Sequence, residues 1–393
     1  MNKDTIVRQL AEGRITVRQT SNLYIESIVP TEPPDAFLKR FPVTEEMTEL
    51  VADSREQIQR IITGQDDRML MLVGPCSIHD EKAGLEYAQR LLSLKKRIED
   101  RIMVVMRVYF EKPRTTTGWK GFINDPRLDG SMEMKEGLER GRRFLHEVVR
   151  LGIPAGTEML DPVTPQHFAD IMSWAAIGAR TVESQTHRQL ASGLSMPVGF
   201  KNGTGGTGYS VEIAVNAILA ACQTHTFLSV DGYGREGVVK TNGKKRDFHI
   251  VLRGGEQGPN YSAEHIADAV ARLKKASLPP YLIVDCSHAN SRKNFRNQSG
   301  VFQAVIGQRV AGNPHIVGVM LESHLFEGNQ KLEGDPSKLK YGVSITDGCV
   351  GWETTEQLLL QAHSILRRAS ELDALDRSIE ERASRAATVS VHQ

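Results

Sequence analysis

Short apolar runs alternate along this chain with longer amphipathic stretches, and each run stops at a residue suited to binding an anion or a metal. In order, MLMLVGP leads to Cys76, IMVVM to Arg107, PAGT to Glu158, GA to Arg180, PVGF to Lys201, HIVL to Arg253, LIVDCS to His288 and IVGVML to Glu322. Runs of four to eight apolar residues separated by helical stretches predict parallel strands buried on both faces, since each crossover must return to the same end of the sheet. About eight such units in roughly 250 residues predict an α/β fold, a closed (β/α)8 TIM barrel with its active site at the C-terminal ends of the strands. The polar residues that end the runs are therefore expected to converge on one cavity.

The same pattern divides the chain into three. Residues 1–64 read as an amino-terminal arm and outer helix, with Pro30, Pro33 and Pro34 in a loop before the amphipathic stretch EEMTELVADSREQIQRIITG, suited to packing outside a barrel or against another subunit. Residues 65–370 are the expected catalytic barrel. Residues 371–393 form a polar tail with few large apolar residues, expected to fray once its helix ends. A Gly- and Lys-rich insert, Asp231 to Asp247, falls between FLSV and HIVLR and predicts a β-hairpin interrupting the sixth strand.

Charge and composition narrow the partners. With 49 Lys+Arg against 48 Asp+Glu and 40% hydrophobic residues, the chain can bury a sizeable core and has no global bias toward nucleic acid or an acidic membrane. Its start, MNKDTIVRQLAEGR, lacks the apolar core of a signal peptide, and no stretch is long and apolar enough to span a bilayer, so a cytoplasmic protein is expected. The four cysteines, Cys76, Cys222, Cys286 and Cys349, are too scattered for a disulfide framework.

Two constellations carry chemistry. Cys76, His288, Glu322 and Asp347 combine a thiolate, an imidazole and two carboxylates just past predicted strand ends, a mixed donor set that suits one divalent ion of the Mn, Fe, Co or Zn kind. The second set is cationic: Arg107, Lys112, Arg114, Arg180, Lys201 and Arg253, beside Glu158. Such charges need anionic partners when buried, and their excess over nearby carboxylates points to a substrate with phosphate or carboxylate groups. Residues 203–208, GTGGTG, fit G-x-G-x-x-G and would suit an NAD-dependent oxidoreductase, but the motif follows the fifth strand rather than the first. A non-catalytic amino-acid sensor on a dead barrel would have lost ligands, whereas the whole set is present.

The strings GPCSIHD, MRVYFEKPRTTTGWKG, GARTVESQTHRQLASGLSMPVGFKNGT, LRGG, DCSHANS, LESHLFEGNQ and SITDGC, in order from about Phe37 to about Arg367, resemble the type I 3-deoxy-D-arabino-heptulosonate 7-phosphate (DAHP) synthases. The resemblance implies a metal-dependent, aldol-like condensation of phosphoenolpyruvate with erythrose 4-phosphate that releases phosphate, the first step of the shikimate route to aromatic amino acids. It implies metal ligands at Cys76, His288, Glu322 and Asp347, phosphoenolpyruvate contacts at Arg107, Lys112, Arg180, Lys201 and Arg253 with Glu158 close by, and erythrose 4-phosphate contacts at Arg114 and Thr115. Lys112 and Glu158 are the catalytic candidates. The resemblance further implies inhibition by an aromatic amino acid, with Pro165, Gln166, Ser195 and Phe227 in the effector pocket, and a homodimer or homotetramer is expected. Cys349, two residues beyond Asp347, is placed to capture Cys76 in a disulfide when metal is absent.

Overall fold

A computed structural model of the chain describes residues 20–205 and 207–390. Residues 1–32 form a unit of their own, in which the described stretch, 20–32, has neither helix nor strand. The second unit, Pro33–Gln393, is built on a closed parallel barrel.

Eight strands close the barrel: β1 (Met69–Gly74), β2 (Ile102–Arg107), β3 (Ala155–Glu158), β4 (Trp174–Ile177), β5 (Val198–Lys201), β8 (Phe248–Leu252), β9 (Leu282–Asp285) and β10 (Ile316–Glu322). They pair in the order β1-β10-β9-β8-β5-β4-β3-β2, so the first and last strands are neighbours. Every strand residue in the barrel is buried, which explains the unbroken apolar runs: one side of each strand fills the barrel and the other meets a helix. Leu70, Leu72, Met103, Val105 and Trp174 belong to the interior cluster, whereas Met71, Val73, Val104 and Met106, at alternate positions, pack outward.

The helix Glu45–Ile62 differs from its expected placement. Thr44 caps it, its side chain accepting from the Met47 amide, and its apolar stripe ends in Ile58, Ile61 and Ile62. Those three isoleucines join the interior cluster with Leu70, Val251, Ile283 and Val317. The helix thus contributes to the barrel's own core. At about 1.5–3 kcal/mol per fully buried aliphatic side chain, this contact is part of the barrel's stability.

The insert also takes a different form. FLSV is one arm of the hairpin, β6 (Thr226–Val230), which pairs antiparallel with β7 (Glu236–Lys240) and never enters the barrel. Its residues are exposed or half-buried, while β8 alone supplies the sixth barrel strand. The hairpin therefore precedes that strand rather than interrupting it. The final helix runs from Trp352 to Ser390, well past Glu371, because the segment is rich in Ala, Leu, Glu and Arg and contains neither Gly nor Pro. Among the described residues no helix is long and apolar enough to cross a membrane.

Candidate active site

The strands deliver their last residues to one end of the barrel. Arg107, Glu158, Lys201, Asp285 and Glu322 are the terminal residues of β2, β3, β5, β9 and β10. All five are buried, so their charges must be matched among themselves or by a ligand. Arg107 Nη2 donates to Glu322 Oε1 at 3.1 Å, with both side chains 1% exposed, and Lys201 Nζ donates to Asp285 Oδ2 at 2.9 Å. Asp285 also accepts from the Ser287 amide and hydroxyl and faces His288 Nδ1 at 2.9 Å. Burial alone would raise its carboxyl; His288, Lys201 and Ser287 outweigh that and hold it well below the usual carboxylate range.

Three of the four candidate metal ligands come together. One donor atom each from Cys76, Glu322 and Asp347 lies within 4.8 Å of the others, with Cys76 and Glu322 buried and Asp347 exposed. His288 stands beside this cluster, its Nε2 4.0 Å from Glu322 Oε1. Its backbone adopts φ 56°, a left-handed conformation uncommon outside glycine, which carries the ring over the strand end while Nδ1 is engaged by Ser287 and Asp285. A thiol, two carboxylates and an imidazole whose other nitrogen is already held make a donor set that fits a borderline divalent ion. Without such an ion, burial and then Glu322 push the Cys76 thiol up to about 11. Metal binding must displace that proton.

The cations border the same space. Lys112 Nζ donates to the Cys76 carbonyl at 2.7 Å, and although burial would lower its pKa, Cys76, Glu322 and Asp347 raise it and keep it charged. Arg253 is half-buried; burial lowers its pKa and neighbouring Arg180 pushes the same way, against Asp285, Asp347 and Glu322. Two guanidiniums sharing one region of the mouth favour an anion between them. Arg180 is exposed and donates through Nε to Thr115 Oγ1 at 3.0 Å, tying the fourth strand's loop to the KPRT segment. Arg114, also exposed, donates to the Trp119 carbonyl. The segment closes on itself through a bridge between Glu111 and Gly121 and a bond from the Lys112 amide to the Lys120 carbonyl. Only glycine serves at 121, since a Cβ there would lie 2.1 Å from the Phe110 carbonyl oxygen.

Glu158 Oε1 is buried without a hydrogen-bond partner among the described residues, and a Cβ on Gly178 would come within 2.0 Å of it. Sequence reasoning overlooked two acidic residues. Asp285 was hidden inside the run LIVDCS. Glu111, next to Lys112, is buried and accepts from the Thr164 hydroxyl at 3.1 Å; burial, then Asp161, pushes its carboxyl up to about 7.

The four effector candidates fall in two places. Ser195 lines a cavity of about 620 Å³ with Val239, Thr241 and Lys245 at the base of the hairpin. Phe227, on β6, lies 3.9 Å from where a Cβ on Gly193 would sit. Pro165 and Gln166 open the short helix Pro165–Phe168. The two places are bridged by the helix Pro34–Lys39, whose Asp35 amide donates to the Gly232 carbonyl of the hairpin turn while Phe37 packs edge-on against His167. The G-x-G-x-x-G segment, as far as it is described, bends at Thr204 and Gly205 after β5, with Glu256 donating to the Thr204 carbonyl, and its last two residues open the helix Thr207–Ala221. It serves a closed barrel, not an open dinucleotide-binding sheet.

A closed parallel barrel with a metal-type donor set and a ring of cations at its mouth defines an enzyme acting on phosphorylated anions. Residues 41–360 match the model of the DAHP synthetase I family, and the chain belongs to that family. It is 53% identical over 344 residues to the Phe-sensitive phospho-2-dehydro-3-deoxyheptonate aldolase of Escherichia coli, covering 87% of this chain and 96% of the relative. It is 48% identical over 346 residues to the Tyr-sensitive enzyme of the same species, covering 88% and 96%. The Trp-sensitive enzyme of Enterobacter agglomerans is 47% identical over 354 residues, covering 90% of this chain and all of the relative. The solved structure of the Francisella tularensis enzyme superposes with a TM-score of 0.84 at 44% identity, covering 87% of this chain and 98% of that one. The reaction is therefore the condensation of phosphoenolpyruvate with erythrose 4-phosphate to DAHP at the head of the shikimate pathway.

Proposed function

We propose that Cys76, His288, Glu322 and Asp347 together hold one divalent ion of the Mn, Fe, Co or Zn kind, that Arg107, Lys112, Arg180, Lys201 and Arg253 bind phosphoenolpyruvate, and that Arg114 and Thr115 bind erythrose 4-phosphate. The observation that carries this reading is the meeting of the Cys76, Glu322 and Asp347 donor atoms with the Lys112 chain, which donates to the carbonyl of Cys76 itself. When bound, the ion supplies Lewis acidity to the sugar aldehyde. Lys112, whose pKa Cys76, Glu322 and Asp347 raise against the effect of burial, gives a proton or hydrogen bond to the oxygen that gains charge as C3 of phosphoenolpyruvate attacks. Arg180 and Arg253 neutralise the phosphate and carboxylate, so that two anionic substrates can approach each other. Glu158 orients the water that adds at C2 before phosphate leaves. Phosphate release from the two substrates, measured with and without a chelator, tests the reading.

An aromatic amino acid is the proposed effector, a class that the names of the Phe-, Tyr- and Trp-sensitive relatives support, with Ser195 and Phe227 on one side of the helix Pro34–Lys39 and Pro165 and Gln166 on the other as its proposed pocket. Self-association as a homodimer or homotetramer is supported by the exposed Leu228, Tyr233 and Val238 of the hairpin.

A further inference from the structure

Tyr109 lies two residues beyond the end of β2, in extended backbone held by a bond from the Ile78 amide to its carbonyl. Residues two apart on an extended chain share a face, so its side chain follows that of Arg107 toward the mouth of the barrel. The ring is 1% exposed and sits under two cations, 3.9 Å from Arg107 Cζ and 5.5 Å from Lys112 Nζ. The pairing of β2 with β3 sets Met106 beside Ala155 and Arg107 beside Gly156, and the bond from the Val108 amide to the Gly156 carbonyl continues it. Two residues further, the same register sets Tyr109 beside Glu158.

Both of these neighbours carry a buried oxygen without a hydrogen-bond partner among the described residues, the Tyr109 hydroxyl and Glu158 Oε1. Four buried hydroxyls around the site are engaged: Ser77 with Thr346, Tyr87 with Ser323, Thr164 with Glu111 and Ser287 with Asp285. Buried polar groups are nearly always paired, so unpaired oxygens on two register-paired residues at a catalytic mouth point to a ligand that reaches both. Burial, with Glu158 and Asp285 near, raises the phenol's pKa against the pull of Arg107 and Lys112, and the group stays a neutral hydroxyl.

We propose that Tyr109 is a further catalytic residue, which with Glu158 holds the water that adds to C2 of phosphoenolpyruvate; this rests on the placement of that substrate proposed above. In the step, the C2=C3 electron pair forms the bond to the aldehyde carbon, and the aldehyde oxygen takes the displaced pair and a proton from Lys112. The water oxygen then bonds to C2. One water hydrogen passes to Glu158 as a proton, while the other is held by the Tyr109 oxygen, whose own hydrogen is donated to an oxygen of the bound phosphoenolpyruvate. The two acceptors leave a lone pair of the water facing C2.

Tyr109→Phe keeps the ring and its cation contacts and removes only the hydroxyl. The expected result is a kcat lower by roughly 10- to 100-fold, the range of a single acid–base or hydrogen-bonding group, with an unchanged metal content and a Tm equal to or above wild type, because an unpaired buried hydroxyl stabilises nothing. Glu158→Gln should lower kcat too, and the double variant should fall no further than about the worse single one, since both act on one water. A kcat within about twofold of wild type for Tyr109→Phe would overturn the proposal. So would a loss of turnover accompanied by a lower Tm, or full multiplicativity in the double variant. Wild-type protein assayed alongside reports separately whether the reaction itself is correctly assigned.

Discussion

Lys201 and Asp285 are joined by a buried bond of 2.9 Å between the ends of β5 and β9, with side-chain exposures of 5% and 0%. An ion pair so far from solvent is supported by the further bonds that Asp285 accepts from the Ser287 amide and hydroxyl, with His288 Nδ1 close by. The depressed pKa of Asp285 means that the folded state binds the carboxylate form better than the unfolded state does. Its contribution to stability is present above the unfolded value of about 3.9 and is lost as pH falls through the folded value. Asp285→Asn should therefore cost about 3–5 kcal/mol at pH 7, as breaking a buried pair does. The gap to wild type should shrink below about pH 4. Denaturant titrations across that range check it; a gap independent of pH would assign the cost to shape rather than charge.

Much of this was legible in the sequence, for physical reasons that differ by element. A barrel strand is covered on both sides, so MLMLVG and IMVVM read as unbroken apolar runs and their polar ends could be placed at one mouth. FLSV was misassigned because an apolar tetrapeptide does not reveal which side will be covered; in the fold none of the four is buried, Leu228 being exposed and Phe227, Ser229 and Val230 half-buried. The helix Glu45–Ile62 was visible from its stripe, but a stripe does not distinguish the interior of a barrel from any other apolar surface. Asp285 and Tyr109 escaped notice because each stands within an apolar run, where burial is expected and partners cannot be seen.

His288→Ala should abolish binding of the divalent ion and turnover together while leaving Tm within a few degrees of wild type. Its side chain is 20% exposed and its bonds are local. Glu322→Ala removes a donor too, but it also leaves the Arg107 guanidinium buried and unpaired, at a cost of about 3–5 kcal/mol. Metal content by elemental analysis beside a melting curve separates the two. A His288→Ala protein with one ion per chain and normal turnover would show the ligand to be misassigned.

Cys76 and Cys349 are both buried, and burial first, then the neighbouring Cys76, raises the Cys349 thiol. The apo enzyme is expected to lose activity in air, with protection by metal or reductant and slower loss for Cys349→Ala. Because burial holds the Cys76 thiol up at about 11, the attacking thiolate is scarce near neutrality. Inactivation should quicken about tenfold per pH unit between pH 7 and 9. Peptide mapping that finds no crosslink between the two, with Cys349→Ala inactivating at the wild-type rate, would rule this out.

One of phenylalanine, tyrosine and tryptophan should inhibit the wild type. Ser195→Phe, which fills part of the cavity at the hairpin base, should relieve that inhibition at least about tenfold while kcat changes less than twofold, since none of the proposed metal or substrate residues lines that cavity. Inhibition titrations with all three amino acids decide. No inhibition by any of them would remove the effector site.

The most direct measurement is phosphate release from phosphoenolpyruvate and erythrose 4-phosphate by the purified protein, before and after treatment with a chelator and after addition of Mn. Release that needs both substrates, falls to background on chelation and returns with Mn is the expected result. Release that continues unchanged in the stripped protein, or that proceeds without erythrose 4-phosphate, would contradict the assignment of Cys76, His288, Glu322 and Asp347 as the metal centre of this condensation.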